Sequence, residues 1–160
     1  MIPSPVSLRP ATAADYDFMR RLYHATRAAE MLRFPFDEAQ KSAFLDQQFA
    51  AQSAHYEQYY PTCERRIILR DNVPVGRLYV DRWPDQVRIV DIALVPEVRG
   101  GGIGTKLIKE VLDEGARSTK RVTIHVEGFN PALRLYERLG FRRVDTNGVY
   151  YLMEWRHSSD

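Results

Sequence analysis

Val95-Pro96-Glu97-Val98-Arg99-Gly100-Gly101-Gly102-Ile103-Gly104-Thr105 carries the chain out of a predicted strand and into a predicted helix. Four of the five residues from Gly100 to Gly104 are glycine. Without β-carbons such a segment admits positive φ and lets a ligand lie against the backbone. The helix that follows opens with several unpaired N–H groups at the positive end of its dipole. Together these features make a seat for an anion such as a pyrophosphate, with Arg99 adding charge at its rim. A turn that is glycine-rich only to fold tightly would explain two glycines better than four.

Two common phosphate patterns fit poorly. A nucleotide P-loop needs Gly-Lys-Ser/Thr after a four-residue gap, whereas Gly104 is followed by Thr105-Lys106. The dinucleotide fingerprint needs Gly-x-Gly-x-x-Gly early in a strand–helix–strand unit. Here Gly100-x-Gly102-x-Gly104 arrives after about a hundred residues.

Outward from the turn, a strand Val87–Val95 stops at Pro96, and a helix Ile103–Ala116 repeats Ile103, Leu107, Ile108, Val111 and Leu112 at helical spacing. Upstream the pattern predicts a strand Val6–Arg9, a helix Ala13–Ala29 capped by Thr12, and a long helix from its cap Asp37 to about Tyr59. Strands Arg65–Arg70 and Val75–Asp81 flank the turn Asp71–Pro74. Downstream come a strand Arg121–Val126 and a short helix Asn130–Leu139, started by Pro131 and stopped by Gly140. A final hairpin pairs Phe141–Asp145 with Val149–Trp155 around Asn147-Gly148, read as a type I′ turn. This order predicts one mixed α/β (α+β) domain over residues 1–160.

With 44% hydrophobic and 28% charged residues the chain reads as globular, and a net charge of +2 gives no electrostatic case for a nucleic-acid partner. Cys63 is the lone cysteine, so no internal disulfide can form, and no metal site is expected. The opening Met1-Ile2-Pro3-Ser4-Pro5 has neither a basic nor an apolar leader region, and no apolar run approaches the ~18 residues of a membrane span. The expectation is a soluble cytoplasmic protein without a membrane partner. The sequence leaves room for a homodimer.

Arg99-Gly100-Gly101-Gly102-Ile103-Gly104 resembles the Gln/Arg-x-x-Gly-x-Gly/Ala signature of the GNAT N-acetyltransferases. Ile92–Val98 looks like that family's fourth strand and its exit, and Asn130-Pro131-Ala132 with Leu135–Phe141 resembles its second conserved block. The resemblance covers about Val87–Phe141. It implies a GNAT acyl-CoA N-acyltransferase fold of about seven strands and four helices, whose fourth and fifth strands splay apart. Acetyl-CoA, the acetyl donor, would enter that wedge, with its pyrophosphate on the amides of Gly100, Gly101, Gly102, Ile103, Gly104 and Thr105. Its pantetheine would pair with the backbone around Leu94 and Val95, and Asn130 would contact the cofactor arm. A backbone amide near Leu94 would polarise the acetyl carbonyl.

Amine acetylation needs a neutral amine and a proton for the departing thiolate. Tyr136 matches the family's usual general acid, and a phenol keeps its proton at neutral pH. For the base, His125 lies on the fifth strand, where several relatives carry a carboxylate acting through water. A histidine held by local hydrogen bonds is the competing reading. Asp91 interrupts an apolar strand, so it is either paired structurally or facing the site, and pairing is preferred. The long helix places Phe44, Leu45, Gln48, Phe49, Gln52, His55, Tyr56 and Tyr59 on one face. Gln48, Gln52, His55 and Tyr59 are therefore candidates to bind the acceptor, against a partly buried face whose polar ends merely reach water. The reading is an N-acetyltransferase that moves the acetyl group of acetyl-CoA to a small-molecule primary amine by direct transfer in a ternary complex. A protein or peptide acceptor, a longer acyl donor, and a non-catalytic acyl-CoA-binding module are the alternatives.

Overall fold

In the computed structural model, residues 5–157 are described, and Met1–Ser4, read above for a leader, lie outside them. Seven strands form one sheet in the order β1-β2-β3-β4-β5-β7-β6. They are β1 (Val6–Pro10), β2 (Glu64–Arg70), β3 (Val73–Arg82), β4 (Gln86–Leu94), β5 (Arg121–Glu127), β6 (Arg142–Asn147) and β7 (Tyr150–Trp155). Every neighbouring pair is antiparallel except β4 and β5. Four helices cover the sheet: α1 (Tyr16–Met31), α2 (Glu38–Tyr59), α3 (Ile103–Ser118) and α4 (Leu133–Arg138). This is the mixed α/β architecture that the order of elements predicts.

One face of the sheet lies under α3. Ile103, Leu107, Ile108, Val111 and Leu112 of α3 pack on Leu78, Val80, Val87, Ile89, Val122, Ile124 and Val126. Each such side chain contributes roughly 1.5–3 kcal/mol by leaving water, so this layer is the main core. Gly115 lets α3 approach, since a β-carbon there would stand 2.7 Å from Val122 Cγ2. Thr119 ends the helix in the left-handed region (φ 56°), and the Lys120 N–H donates to Gly115 O at 2.8 Å.

The opposite face carries α1 and α2, and its middle is polar. A smaller apolar cluster of Tyr23, Met31, Leu45 and Phe49 joins the two helices to each other. The Asp37 carboxylate accepts from the Gln40 N–H at 2.7 Å, which fixes the start of α2 at the residue expected. Arg9 grips Asp15 with two hydrogen bonds of 2.8 and 2.7 Å, holding that carboxyl down at about 2. Asp15 also takes the Thr12 N–H at 2.8 Å, so the segment after Thr12 starts as a 3-10 turn, Ala13–Asp15, before α1 begins. The continuous helix from Ala13 is corrected accordingly.

Two turns also differ from expectation. The β2–β3 turn is Asp71-Asn72, both with positive φ (53° and 65°), so Val73 and Pro74 already belong to β3. In the last hairpin Asn147 faces Tyr150, leaving Gly148-Val149 as the loop with positive φ only at Gly148. That is the pattern of a type II′ turn with glycine first, rather than type I′.

Gly76 on β3 sits where β4 comes closest. A β-carbon there would land on Ala93 O and within 2.9 Å of Leu94 Cδ2. Gly76→Ala is expected to cost about 1–3 kcal/mol, read as a lower urea midpoint at unchanged slope.

Candidate active site

Strands β4 and β5 are neighbours only over part of their length. Gln86–Ile89 pairs with Arg121–Ile124, and the ladder stops there. The cause is visible one strand over. Tyr79 pairs with Asp91 and Val80 with Ile89, so Val90 is an extra residue in β4. Such a bulge bends the strand and raises its twist. Beyond it β4 follows β3, while His125, Val126 and Glu127 of β5 stay with β7.

The gap leaves a free backbone edge inside the sheet. The Val95 N–H donates to Val75 O at 2.8 Å and so points toward β3. Main-chain groups alternate sides along an antiparallel strand, so Ile92 and Leu94 direct theirs toward the gap. Unpaired edge groups of this kind are a template for an extended partner. The expected pairing at Val95 does not fit this geometry: its N–H is held by Val75, and its carbonyl accepts from the Val98 N–H at 3.2 Å. Ile92 and the Leu94 N–H are left open. Arg99 donates from Nε to Leu94 O at 3.1 Å, tying the glycine turn back to β4.

That turn reaches α3 through left-handed steps at Gly100 (φ 80°) and Gly102 (φ 88°), and nothing lies within 4 Å of where a β-carbon would stand at either. Gly102 is the N-cap of α3 and offers no side chain to its amides. The first intrahelical bond runs from Lys106 N–H to Gly102 O, so the N–H groups of Ile103, Gly104 and Thr105 have no helical acceptor. Asn130 is placed otherwise than as a simple ligand contact: its Oδ1 accepts from the Ala132 N–H at 2.9 Å in the turn before α4. That turn delays the helix to Leu133, three residues later than expected.

On the α2 side of the sheet a charged cluster sits beside the gap. Arg77, 4% exposed, donates to Gln52 Oε1 at 2.6 Å and to Asp91 Oδ2. Tyr56 donates to the same Asp91 oxygen at 3.4 Å. Burial and then the Asp91 charge push the Tyr56 hydroxyl far up, so it remains a donor. Burial is the largest influence and works against the Arg77 charge, but Asp91, Tyr79 and Tyr56 together outweigh it and hold the guanidinium protonated. Tyr136, 5% exposed, packs its ring edge-on to Phe141 at 5.6 Å. Burial first, then the charge of Asp91, pushes its hydroxyl up to about 12. The Tyr136 hydroxyl has no hydrogen-bond partner among the described residues, yet it is not among the fully enclosed orphan atoms.

His125 lies exposed on β5 with Arg88 Nη1 3.3 Å from its Nδ1. A guanidinium only donates, so Nδ1 accepts and the ring proton belongs on Nε2. Burial and the Arg88 charge hold the imidazole below its ordinary range, consistent with this neutral form. So held, His125 has no free lone pair with which to take a proton. The hydrogen-bonded reading of His125 fits the geometry better than the base reading.

Of the acceptor candidates on α2, only Gln52 reaches the cluster. Gln48, His55 and Tyr59 are exposed, and the His55 ring packs on Tyr59 at 4.7 Å. The inward face runs Leu45, Phe49, Gln52, Tyr56 and on to Tyr60, a narrower stripe than the eight residues grouped above. Missed altogether were Arg77, Tyr56 as a polar group, and Arg88. The available signal was complementary: Arg77 is a lone base in the run Val73–Val80, as Asp91 is a lone acid in β4.

A seven-stranded sheet opened between its two parallel strands, with a glycine turn and a bare helix start at the opening, is the acyltransferase fold. The chain belongs to the acetyltransferase (GNAT) family, whose sequence model matches residues 21–141. It is similar to the mycothiol acetyltransferase of Saccharomonospora viridis, 31% identical over 124 residues, which are 71% of this chain and 36% of that protein. It is also similar to the [ribosomal protein bS18]-alanine N-acetyltransferase of Haemophilus influenzae, 28% identical over 88 residues, 52% of this chain and 58% of that protein. The matches thus span about a third and somewhat over half the length of these curated relatives. Among solved structures, the PaiA N-acetyltransferase of Thermoplasma acidophilum, in complex with coenzyme A, superposes with a TM-score of 0.72. At 14% identity over 96% of this chain and 99% of that one, this is a likeness of fold. No helix among the described residues is long and apolar enough to cross a membrane, and no cluster of metal-ligating side chains occurs among them.

Proposed function

We propose that this chain transfers the acetyl group of acetyl-CoA to a primary amine by direct transfer in a ternary complex. The observation that carries the reading is the open β4 edge at Ile92 and the Leu94 N–H, beyond the end of the β4–β5 ladder, between Asp91 and the bare amides of α3. The donor's three parts have suitable partners here. The Ile103, Gly104 and Thr105 amides and the open space at Gly100 and Gly102 suit a pyrophosphate. An extended amide-bearing arm suits the strand edge, and Asn130 keeps its side-chain N–H groups to donate toward it.

When bound, acetyl-CoA supplies an activated acyl group and a thiolate leaving group. The backbone amide of Ile92 or Leu94 donates to the carbonyl oxygen as charge gathers there, a preorganised dipole that needs no side chain. Asp91 uses Oδ2 to hold Arg77 and Tyr56, leaving Oδ1 to accept the amine proton, directly or through water. Tyr136 keeps its proton until the sulfur develops charge. A small acceptor is favoured over a peptide because Gln52 and Tyr56 bring α2 down onto the cluster.

The test is thiol release across a panel of amines, alongside calorimetric titration with CoA. Amine-dependent release is expected. Tight CoA binding with no release from any amine would instead mark a non-catalytic acyl-CoA-binding module.

A further inference from the structure

Over β2, β3 and β4 the α2-facing side of the sheet holds more positive than negative charge. Arg65, Arg77 and Arg88 come from three adjoining strands and face two carboxylates, Asp81 and Asp91. Asp91 serves Arg77. Asp81, opposite Arg88 in register, gives its Oδ1 to Thr62 Oγ1 at 2.8 Å and to the Arg82 N–H at 3.0 Å.

Among the described residues Arg88 makes no ion pair with an acid. It is 8% exposed, and its hydrogen bonds go to Thr123 Oγ1 (2.7 Å), Tyr60 Oη (3.1 Å), His125 Nδ1 (3.3 Å) and Gln86 Oε1 (3.4 Å). All four partners are neutral. The Trp83 ring lies 5.0 Å from the guanidinium carbon, with Tyr60 stacked on it, which eases the charge but does not balance it. A buried cation with no carboxylate in direct contact is costly, and this one sits at the base of the β4–β5 gap. Its bond to exposed His125 is the one that an entering anion would replace.

We infer that the acceptor is an amine carrying an anionic group, a carboxylate or phosphate, which Arg88 holds while the amine lies at Asp91. The inference rests on the transferase reading and names the acceptor class for the same site. The spacing follows from register. Asp91 and Arg88 stand opposite Tyr79 and Asp81, two residues apart on β3 and on one face of the sheet. Two strand steps are about 7 Å, so the acceptor separates its amine and anion by a short chain, as an ω-amino acid or an aminoalkyl phosphate does.

The experiment compares β-alanine, γ-aminobutyrate and 2-aminoethyl phosphate with propylamine and butylamine on the wild-type chain, then on Arg88→Gln. The anionic amines are expected to exceed the neutral ones about 10- to 100-fold in kcat/KM, mostly through KM. Arg88→Gln should collapse that ratio toward one. Whether carboxylates or phosphate win identifies the anion. Equal turnover of neutral amines, or a proportional loss for every amine in Arg88→Gln, overturns the inference. If Arg88→Gln does not fold, the wild-type ratio decides alone. If no amine at all is acetylated, the transferase reading fails instead. The subsite is then judged by melting in the presence of CoA: a rise in Tm with β-alanine but not propylamine supports it, and no difference overturns it.

Discussion

With Tyr136 as the proposed general acid, Tyr136→Phe is expected to lower kcat by about 10²- to 10⁴-fold while CoA affinity stays near wild type. The ring and its contact with Phe141 remain, so the change deletes only the hydroxyl. Burial first and the Asp91 charge second put this hydroxyl at about 12, against an ordinary value of 10. The protonated, active form therefore persists up to that pH, and Tyr136 imposes no loss of kcat between about pH 7 and 10. The same shift has a consequence for stability. Below pH 10 the group stays protonated in folded and unfolded chains alike, so the stability it contributes is fully present; it is lost as pH rises from 10 toward 12. Stopped-assay pH profiles of both proteins check this. A Tyr136→Phe enzyme within a few-fold of wild type in kcat would remove Tyr136 from the chemistry.

Arg77→Met costs about 3–5 kcal/mol of folding stability, the usual loss when one partner of a buried ion pair is removed. The change strands Asp91 beside Tyr56 and cuts the bond that holds Gln52 of α2 to the sheet. Replacing both partners, Arg77→Met with Asp91→Leu, is expected to recover most of that loss because no charge is left unpaired. It should not recover turnover, since Asp91 Oδ1 is gone. Urea unfolding of the two single variants and the double variant gives the coupling energy directly. A single-variant cost under about 1 kcal/mol would mean that the pair does not anchor α2.

The parts of the fold legible in the sequence are those set by local chemistry. Asp37 with Gln40 marks the start of α2, and glycines with a 3.6-residue apolar period mark the turn and α3. The site was only half legible because it depends on Val90. Strict alternation would put Asp91 on the same face as Val87 and Ile89, in the core under α3. The extra residue at Val90 moves it to the opposite face, against Arg77. No pattern in β4 alone announces that bulge. Arg77 and Asp91 meet through it across 14 positions of sequence. On α2 helical spacing groups Gln48, His55 and Tyr59 with Gln52 and Tyr56, but the stripe that turns inward is narrower and keeps only Gln52 and Tyr56 of these. The glycines of the turn point to an anionic ligand. The turn's other role, fixing Arg99 on Leu94 O, is a long-range contact that spacing cannot show.

The most direct test of the account is the initial rate of CoA release with acetyl-CoA and the amine varied together. Direct transfer in the β4–β5 gap predicts no release without amine and double-reciprocal lines that intersect. Parallel lines, or stoichiometric release before any amine is added, would show an acetylated enzyme and contradict it.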